Sequence, residues 1–285
     1  MRRTWRIIGW TLGAVLTLIV ALCAAVLIAG NTARGRVLIE RATAQLSNGH
    51  VRLSGLSGSF PAAIDLRQLQ LADQQGAWLT AEGISLRWSP LALLGRHLNI
   101  ERLQLARLAI ERRPASEPSQ QGSNSRLPHI DIGQLSIDAL ELGAELTGLR
   151  ATLSVKGTAH VVSLSNATLN LTARRIDAPG DYEARLRCDP ARVDATLKLD
   201  EPAGGALGSL LKLPGLGALS VDADLTGPRQ AERLEVRARA GELRALAQGS
   251  VDLTRSAADL VYSLDAPAMR PREGLEWERK ERQVC

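Results

Sequence analysis

Two stretches, LNIERLQLARLAI at Leu98–Ile110 and IDIGQLSIDALEL at Ile130–Leu142, determine the fold that the sequence predicts. In both stretches apolar residues come in pairs two positions apart, and the pairs recur every five residues. At 100° per residue these positions scatter around a helix, so the pattern excludes an amphipathic helix. In a flat strand the second pair would point to the opposite face of the sheet. A bulge or bend between pairs returns the side chains to one face, so we expect strongly twisted, bulged strands.

The rest of the chain favours strands that are covered on one face only. Apolar and polar residues alternate over 193–199, 234–240 and 260–264, which is typical of half-buried strands. The predicted fold is therefore mainly β, an elongated, twisted and curled sheet with a groove-like apolar face. One short helix is expected near 89–94, where Pro90 suits the first helical position, and we expect it to plug one end of the sheet. This pattern is equally compatible with a closed sandwich core and with an open trough.

An uncharged apolar segment at residues 7–30 predicts an N-terminal transmembrane helix, because about 20 such residues cross a bilayer. A cleaved signal peptide is the alternative, but its apolar core is usually about 7–15 residues long and ends at a small-x-small site that is missing here. Leu22 before Cys23 is not the small residue that a lipoprotein site requires. Three arginines precede the span and two follow it closely, so the charge bias is slight. We expect a cytoplasmic N-terminus with the rest of the chain outside.

Composition divides the chain into five segments. The segment at 113–128 is polar and rich in Pro and Ser, which predicts a mobile loop. The last sixteen residues break the strand pattern and are densely charged, and we expect a truncated or frame-shifted end, or a different terminus. The predicted segments are 1–36 (cytoplasmic start and transmembrane anchor), 37–112 (first β segment with the short helix), 113–128 (loop), 129–269 (second β segment of the same sheet) and 270–285 (charged, atypical tail).

Charge distribution and motifs favour neither an enzyme nor a nucleic-acid-binding protein. The net charge of +5 is carried by five arginines before position 37, so the rest of the chain is neutral. A neutral body argues against a phosphate-binding surface. His129 and Asp131 lack a third metal ligand, and an SxxK sequence at Ser209–Lys212 lacks its companion motifs. We expect no catalytic residue, no metal and no cofactor.

The first β segment resembles the N-terminal part of the TamB family, the AsmA-like inner-membrane component of the translocation and assembly module. The resemblance rests on the anchor at 7–30, LSGLSGSFPAAIDLRQLQLAD at Leu53–Asp73, and GAWLTAEGISLRWSPLALLGRHLNIERLQLARLAIERRP at Gly76–Pro114, in that order. Its most specific element is the Trp-Ser-Pro-Leu turn at 88–91, directly before the five-residue pattern. Beyond about Ile130 only the general strand-like pattern resembles this family.

The TamB resemblance implies a body in the periplasm, anchored by a single span in the cell inner membrane, and a role in outer-membrane biogenesis. It implies that phospholipid acyl chains are conducted along the apolar groove, that outer-membrane protein (autotransporter) assembly and secretion are supported, or both. TamB-family members are several times longer and contact an outer-membrane barrel partner through a C-terminal domain, so we expect a truncated member. The candidate groove-lining residues are Leu66, Leu69, Leu71, Ile84, Leu86, Leu98, Ile100, Leu103 and Leu105.

An interaction module is the alternative function. It would be a periplasmic scaffold or chaperone-like module that binds unfolded β-strands at its sheet edge, without lipid transport.

Overall fold

The computed structural model describes residues 30–115, 129–163, 165–205 and 217–266, and the backbone of 269–272 and 275–277. Within these residues thirteen strands form one sheet, in which each strand lies beside its neighbours in the sequence from β1 to β13. Strands β14 and β15 form a separate hairpin. The strands are β1 (Val51–Ser54), β2 (Ala63–Asp73), β3 (Gly76–Ser89), β4 (His97–Ile110), β5 (His129–Leu142), β6 (Ala151–Ser163), β7 (Asn166–Arg175), β8 (Asp181–Cys188), β9 (Arg192–Glu201), β10 (Leu219–Pro228), β11 (Glu232–Ala240), β12 (Leu243–Asp252), β13 (Ala257–Asp265), β14 (Met269–Arg272) and β15 (Leu275–Trp277).

Short helical elements accompany the sheet. Helix α1 (Ala33–Leu46) lies beside β1 and begins after Thr32, whose Oγ1 accepts a hydrogen bond from the backbone N–H of Gly35. The connection between β3 and β4 is a 3₁₀ turn (Pro90–Gly95). Helix α2 (Ala144–Thr147) links β5 to β6.

The 3₁₀ turn confirms the short helix that the sequence predicts, but the expectation that it plugs the sheet is wrong. Leu91, Leu93 and Leu94 are 78%, 46% and 88% exposed. The last residues that pair β3 with β4 are Ser89 and Asn99. Because the turn extends beyond this pair, these three leucines project away from the sheet.

All strand pairs of the thirteen-stranded sheet are antiparallel except β4 and β5, which are parallel. These two strands carry the five-residue pattern and pair at a constant offset, from His97 opposite His129 to Ile110 opposite Leu142. Both strands repeat their apolar pairs every five residues, so their bends lie side by side, which explains the constant offset. The predicted loop at 113–128 connects them, and all of it after residue 115 lies outside the described residues.

Bulges convert the five-residue pattern of β5 into the two-residue alternation of β6. Between Ile132 and Leu135, and again between Ile137 and Leu140, a step of three residues in β5 faces a step of two in β6. Each bulge absorbs one extra residue and leaves the apolar pairs on one face. The predicted bulges are confirmed, and β6 and the strands after it continue the same face with simple alternation.

Buried apolar side chains are few in the described part of the chain. They are Ala81, Ala109, Ile137, Ala151, Val155, Val193, Ala240 and Ala266. Most are small, as expected where backbone ladders and cross-strand contacts stabilise the sheet rather than a thick core.

The predicted transmembrane span at 7–30 lies outside the described residues, apart from Gly30. Among the residues that are described, no helix combines the length and hydropathy needed to cross a bilayer. Of the predicted tail at 270–285, only the backbone of the small β14–β15 hairpin is described.

Candidate functional site: the apolar face of the sheet

Strand register aligns apolar side chains into rows that cross the sheet, because directly paired residues share one face. Row A, from β2 to β13, consists of Leu66, Ile84, Leu105, Ile137, Val155, Ala173, Tyr182, Leu199, Val221, Ala238, Ala245 and Leu264. Row B, over the same strands, consists of Ile64, Leu86, Leu103, Leu135, Gly157, Leu171, Ala184, Leu197, Ala223, Val236, Ala247 and Tyr262. Neither row contains a charged residue.

A third row, row C, runs nearer the 3₁₀ turn. It consists of Trp88, Ile100, Ile132, Ala159, Leu169, Leu186, Ala195, Leu225, Leu234, Gly249 and Leu260. The indole Nε1 of Trp88 donates a 2.7 Å hydrogen bond to the backbone oxygen of Pro61, so the polar atom of this ring is satisfied within the protein. The rows lie about 7 Å apart, since alternate residues of a strand share a face.

The nine residues predicted to line a groove all lie on this apolar face. Row A contains three of them, row B contains Leu86 and Leu103, and row C contains Ile100. The other three flank the rows and pair with apolar partners, such as Leu98 with Ile130. All nine are half-buried. Their contact with lipid stays a prediction.

The opposite face is polar along nearly the whole sheet. One row of it, from β2 to β11, consists of Asp65, Ser85, Gln104, Ser136, Lys156, Thr172, Glu183, Lys198, Asp222 and Arg237. Cross-strand ion pairs join Arg87 Nη1 to Asp65 at 3.1 Å and Arg107 Nε to Glu141 at 2.7 Å. Hydrogen bonds from these arginines lower the pKa of Asp65 and of Glu141, so both carboxylates stay ionised at neutral pH.

The apolar face is not closed by a second layer in the described part of the chain. Strands β1 and β13 are the two edges of the sheet, and the described elements in extensive contact are neighbours in the sheet or in the sequence. The lining side chains are half-buried, whereas a sandwich would bury them. Of the two arrangements that the pattern permits, the described residues adopt the open, curled sheet.

A protein-family model described as "YdbH-like: Intermembrane phospholipid transport protein YdbH" matches residues 18–280. The chain belongs to the YdbH-like family. Because the YdbH-like family is AsmA-related, the broader part of the TamB resemblance holds, whereas TamB itself is not confirmed. No curated protein and no solved structure matches the chain.

Charged side chains interrupt the apolar face of this YdbH-like chain at the end where β7 turns into β8. Arg175 pairs with Leu153 and therefore lies on the apolar face, with its side chain only 6% exposed. Its guanidinium lies 2.9 Å from Asp177 Oδ2 and 3.8 Å from Glu201 Oε1. The hydroxyl of Tyr182 donates a 2.7 Å hydrogen bond to Glu201, and burial together with this bond raises the pKa of the phenol. Two carboxyl groups thus share one guanidinium at this end of the face.

A buried carboxyl lies at the other end of the same face. Glu232 has no exposed surface, and neither of its carboxyl oxygens has a hydrogen-bond partner. It pairs with Val251 of β12. Burial raises its pKa, because the charged carboxylate loses its hydration.

Sequence reasoning missed Arg175, Glu201 and Glu232 as residues of the apolar face, although a signal was present. Glu232 precedes Leu234 by two positions and Glu201 follows Leu199 by two, which predicts the apolar face for both.

Histidines do not assemble a metal site in the part of the chain that the structure describes. His129 Nδ1 lies 3.0 Å from His97 Nε2, and His160 lies 3.3 Å from Asp131. Within the same residues, no group of three or more His, Cys, Asp or Glu side chains could hold a metal ion. A depression of about 540 Å³ on the polar face is lined by cations and anions together, including Lys156, Lys198 and Asp200.

Proposed function

We propose that this YdbH-like chain conducts phospholipid between membranes, with the acyl chains lying on rows A, B and C. The observation that carries the proposal is the continuity of these rows, since each crosses the sheet from the third strand or earlier to β13 without a charged residue. At about 4.8 Å per strand, the twelve strands crossed by rows A and B give an apolar path about 50 Å long. The family's description as an intermembrane phospholipid transport protein supports the same reading.

The half-buried state of the lining residues fits a transient apolar ligand. Each methylene that leaves water contributes about 0.8 kcal/mol, and the interaction is not directional. An acyl chain can therefore shift from one strand to the next without breaking specific bonds. We propose no catalytic step and no cofactor for this role.

A membrane attachment would place one end of this path at the lipid source. We propose that residues 7–30 form a single span in the inner membrane, with a cytoplasmic N-terminus and the sheet in the periplasm. The apolar length of this segment supports the proposal.

Site-specific photocrosslinking tests the path. A photoreactive residue at Leu103 in row B should capture phospholipid, whereas the same residue at Gln104 should not, because Gln104 pairs with Ser85 and Ser136 on the polar face. The two positions are adjacent in β4 and both half-buried, so Gln104 is a matched control. Equal capture at both positions, or capture at Gln104 alone, would overturn the proposal.

Strand binding at a sheet edge is a second candidate, favoured by the state of β13. All nine residues of β13 are exposed, including Val261 at 59% and Tyr262 at 58%. An exposed apolar edge strand can pair with a strand of another chain. Support of outer-membrane protein assembly, or contact with an outer-membrane barrel partner, would use this edge. Peptide crosslinks along β13 that persist when Leu103 no longer captures lipid would favour this candidate.

A further inference from the structure

The 3₁₀ turn presents apolar side chains to solvent from a well-formed backbone. It begins with Pro90 and is closed by Arg96, which has a left-handed φ of 60° and whose N–H donates a 2.9 Å hydrogen bond to the carbonyl of Leu93. Leu94 is 88% exposed. Apolar side chains clustered on one ordered turn indicate a surface that contacts something other than water.

The described chain starts at the same end of the sheet. Gly30 packs against the ring of Phe60, since a Cβ at Gly30 would lie 2.5 Å from it. Asn31 Nδ2 donates a 2.8 Å hydrogen bond to the Phe60 carbonyl, and Trp88 Nε1 donates to the carbonyl of Pro61 next to it. Because Trp88 is followed after one residue by Pro90, a continuous series of contacts joins the end of the apolar segment 7–30 to the 3₁₀ turn.

Further apolar and basic side chains lie around this end. Helix α1 starts here and exposes Val37 at 44% and Leu38 at 65%. Arg34 and Arg96 are exposed as well, and the sequence from Ser89 to His97 contains no acidic residue. Leucines flanked by arginines suit a phospholipid surface, where apolar side chains enter the acyl region and guanidinium groups meet phosphates.

We propose that the 3₁₀ turn, through Leu91, Leu93 and Leu94, inserts into the outer leaflet of the membrane that residues 7–30 anchor. The inserted turn holds the Trp88 end of row C against the lipid surface, where an acyl chain can pass onto the sheet. The inference rests on the proposed membrane attachment and deepens the proposed function, because it names the point at which lipid enters.

Depth-dependent fluorescence quenching tests the insertion with the full chain in vesicles of phosphatidylethanolamine and phosphatidylglycerol. After Cys23, Cys188 and Cys285 are replaced by alanine, an environment-sensitive fluorophore is attached through Leu94→Cys or Leu46→Cys. Leu46, the last residue of α1, is 87% exposed, which matches Leu94, and it lies at the opposite end of the sheet. Nitroxide-labelled lipid should quench the Leu94 probe severalfold more than the Leu46 probe. Equal quenching of the two probes, or no quenching at Leu94, would overturn the inference. A turn that binds a protein instead of lipid would give one of these two results.

A second measurement separates this inference from the transport proposal. Leu94→Asp should lower lipid capture by a photoreactive residue at Leu103 about tenfold when lipid is supplied in vesicles. The same variant should capture lipid normally when lipid is supplied in detergent micelles, and Leu46→Asp should leave both unchanged. Quenching at Leu94 without capture at Leu103 would refute transport but support insertion. Equal loss from vesicles and micelles would refute an entry role for the turn.

Discussion

Replacing Leu103 by glutamate should block lipid movement while leaving the sheet folded. Leu103 lies in row B between Leu86 and Leu135, about 4.8 Å from each along the path. It is half-buried, so without lipid the new carboxylate remains in contact with water. The loss of part of a leucine's burial costs about 1 kcal/mol of folding free energy.

Lipid binding should suffer more than folding. A carboxylate surrounded by hydrocarbon costs about 2.5–3.5 kcal/mol on insertion scales, which corresponds to about 70–400-fold in occupancy. Because the apolar face is open on one side, the carboxylate can turn partly toward water. We therefore expect at least a tenfold fall, the lower bound of about 1.4 kcal/mol.

The assay is transfer of fluorescent phospholipid from donor to acceptor vesicles, combined with urea unfolding of the same preparations. Gln104→Glu is the matched control, since it adds the same charge to the polar face one residue away. Leu103→Glu should slow transfer at least tenfold, and Gln104→Glu should leave it unchanged. Equal transfer by both variants would refute the assignment of the lipid path to row B. Slow transfer by Gln104→Glu alone would assign the path to the opposite face.

Two further predictions concern the charged residues of the apolar face. Glu232→Leu removes a buried carboxyl without partners, so the free energy of unfolding at pH 7 should rise by about 1–3 kcal/mol. Since burial raises the pKa of Glu232, the native protein loses stability as pH rises above the ordinary glutamate value. The gain should therefore shrink as pH falls toward about 4, where only the cost of burying the neutral acid remains. A gain independent of pH would contradict an ionisable origin. Arg175→Met removes the guanidinium beside the buried Glu201 and should cost about 3 kcal/mol in urea unfolding, the low end for a broken buried pair because Asp177 is one-third exposed. Arg174→Met, whose partner Asp181 is well exposed, is the control and should cost less than about 1 kcal/mol.

Periodicity predicted the two-faced sheet and its bulges because both follow from local sequence. The five-residue spacing of Leu103 and Leu108 requires one extra residue between apolar pairs, and the structure places bulges at the corresponding steps of β5. The nine candidate lining residues fell on one face for the same reason. Their position needed only the alternation rule within each apolar pair and one bulge between pairs, not knowledge of the neighbouring strands.

Long-range geometry could not be predicted in this way. The parallel pairing of β4 with β5 depends on the path of the chain between Ile110 and His129, on which the strand pattern has no bearing. The exposure of Leu94 depends on how far the turn extends beyond the last paired residues. The buried states of Glu201 and Glu232 depend on neighbouring strands, although their face was already encoded in the alternation.

The single parallel pair has a kinetic consequence. Strands β1–β4 and β5–β13 are each joined in sequence order by antiparallel pairs, so within each block contacts form between residues close in the chain. Loops between neighbouring antiparallel strands close fast. Pairing β4 with β5 must close a longer loop, and it contributes no stabilising contacts until both strands are ordered. We therefore expect β1–β4 and β5–β13 to form separately, and β4 and β5 to pair last.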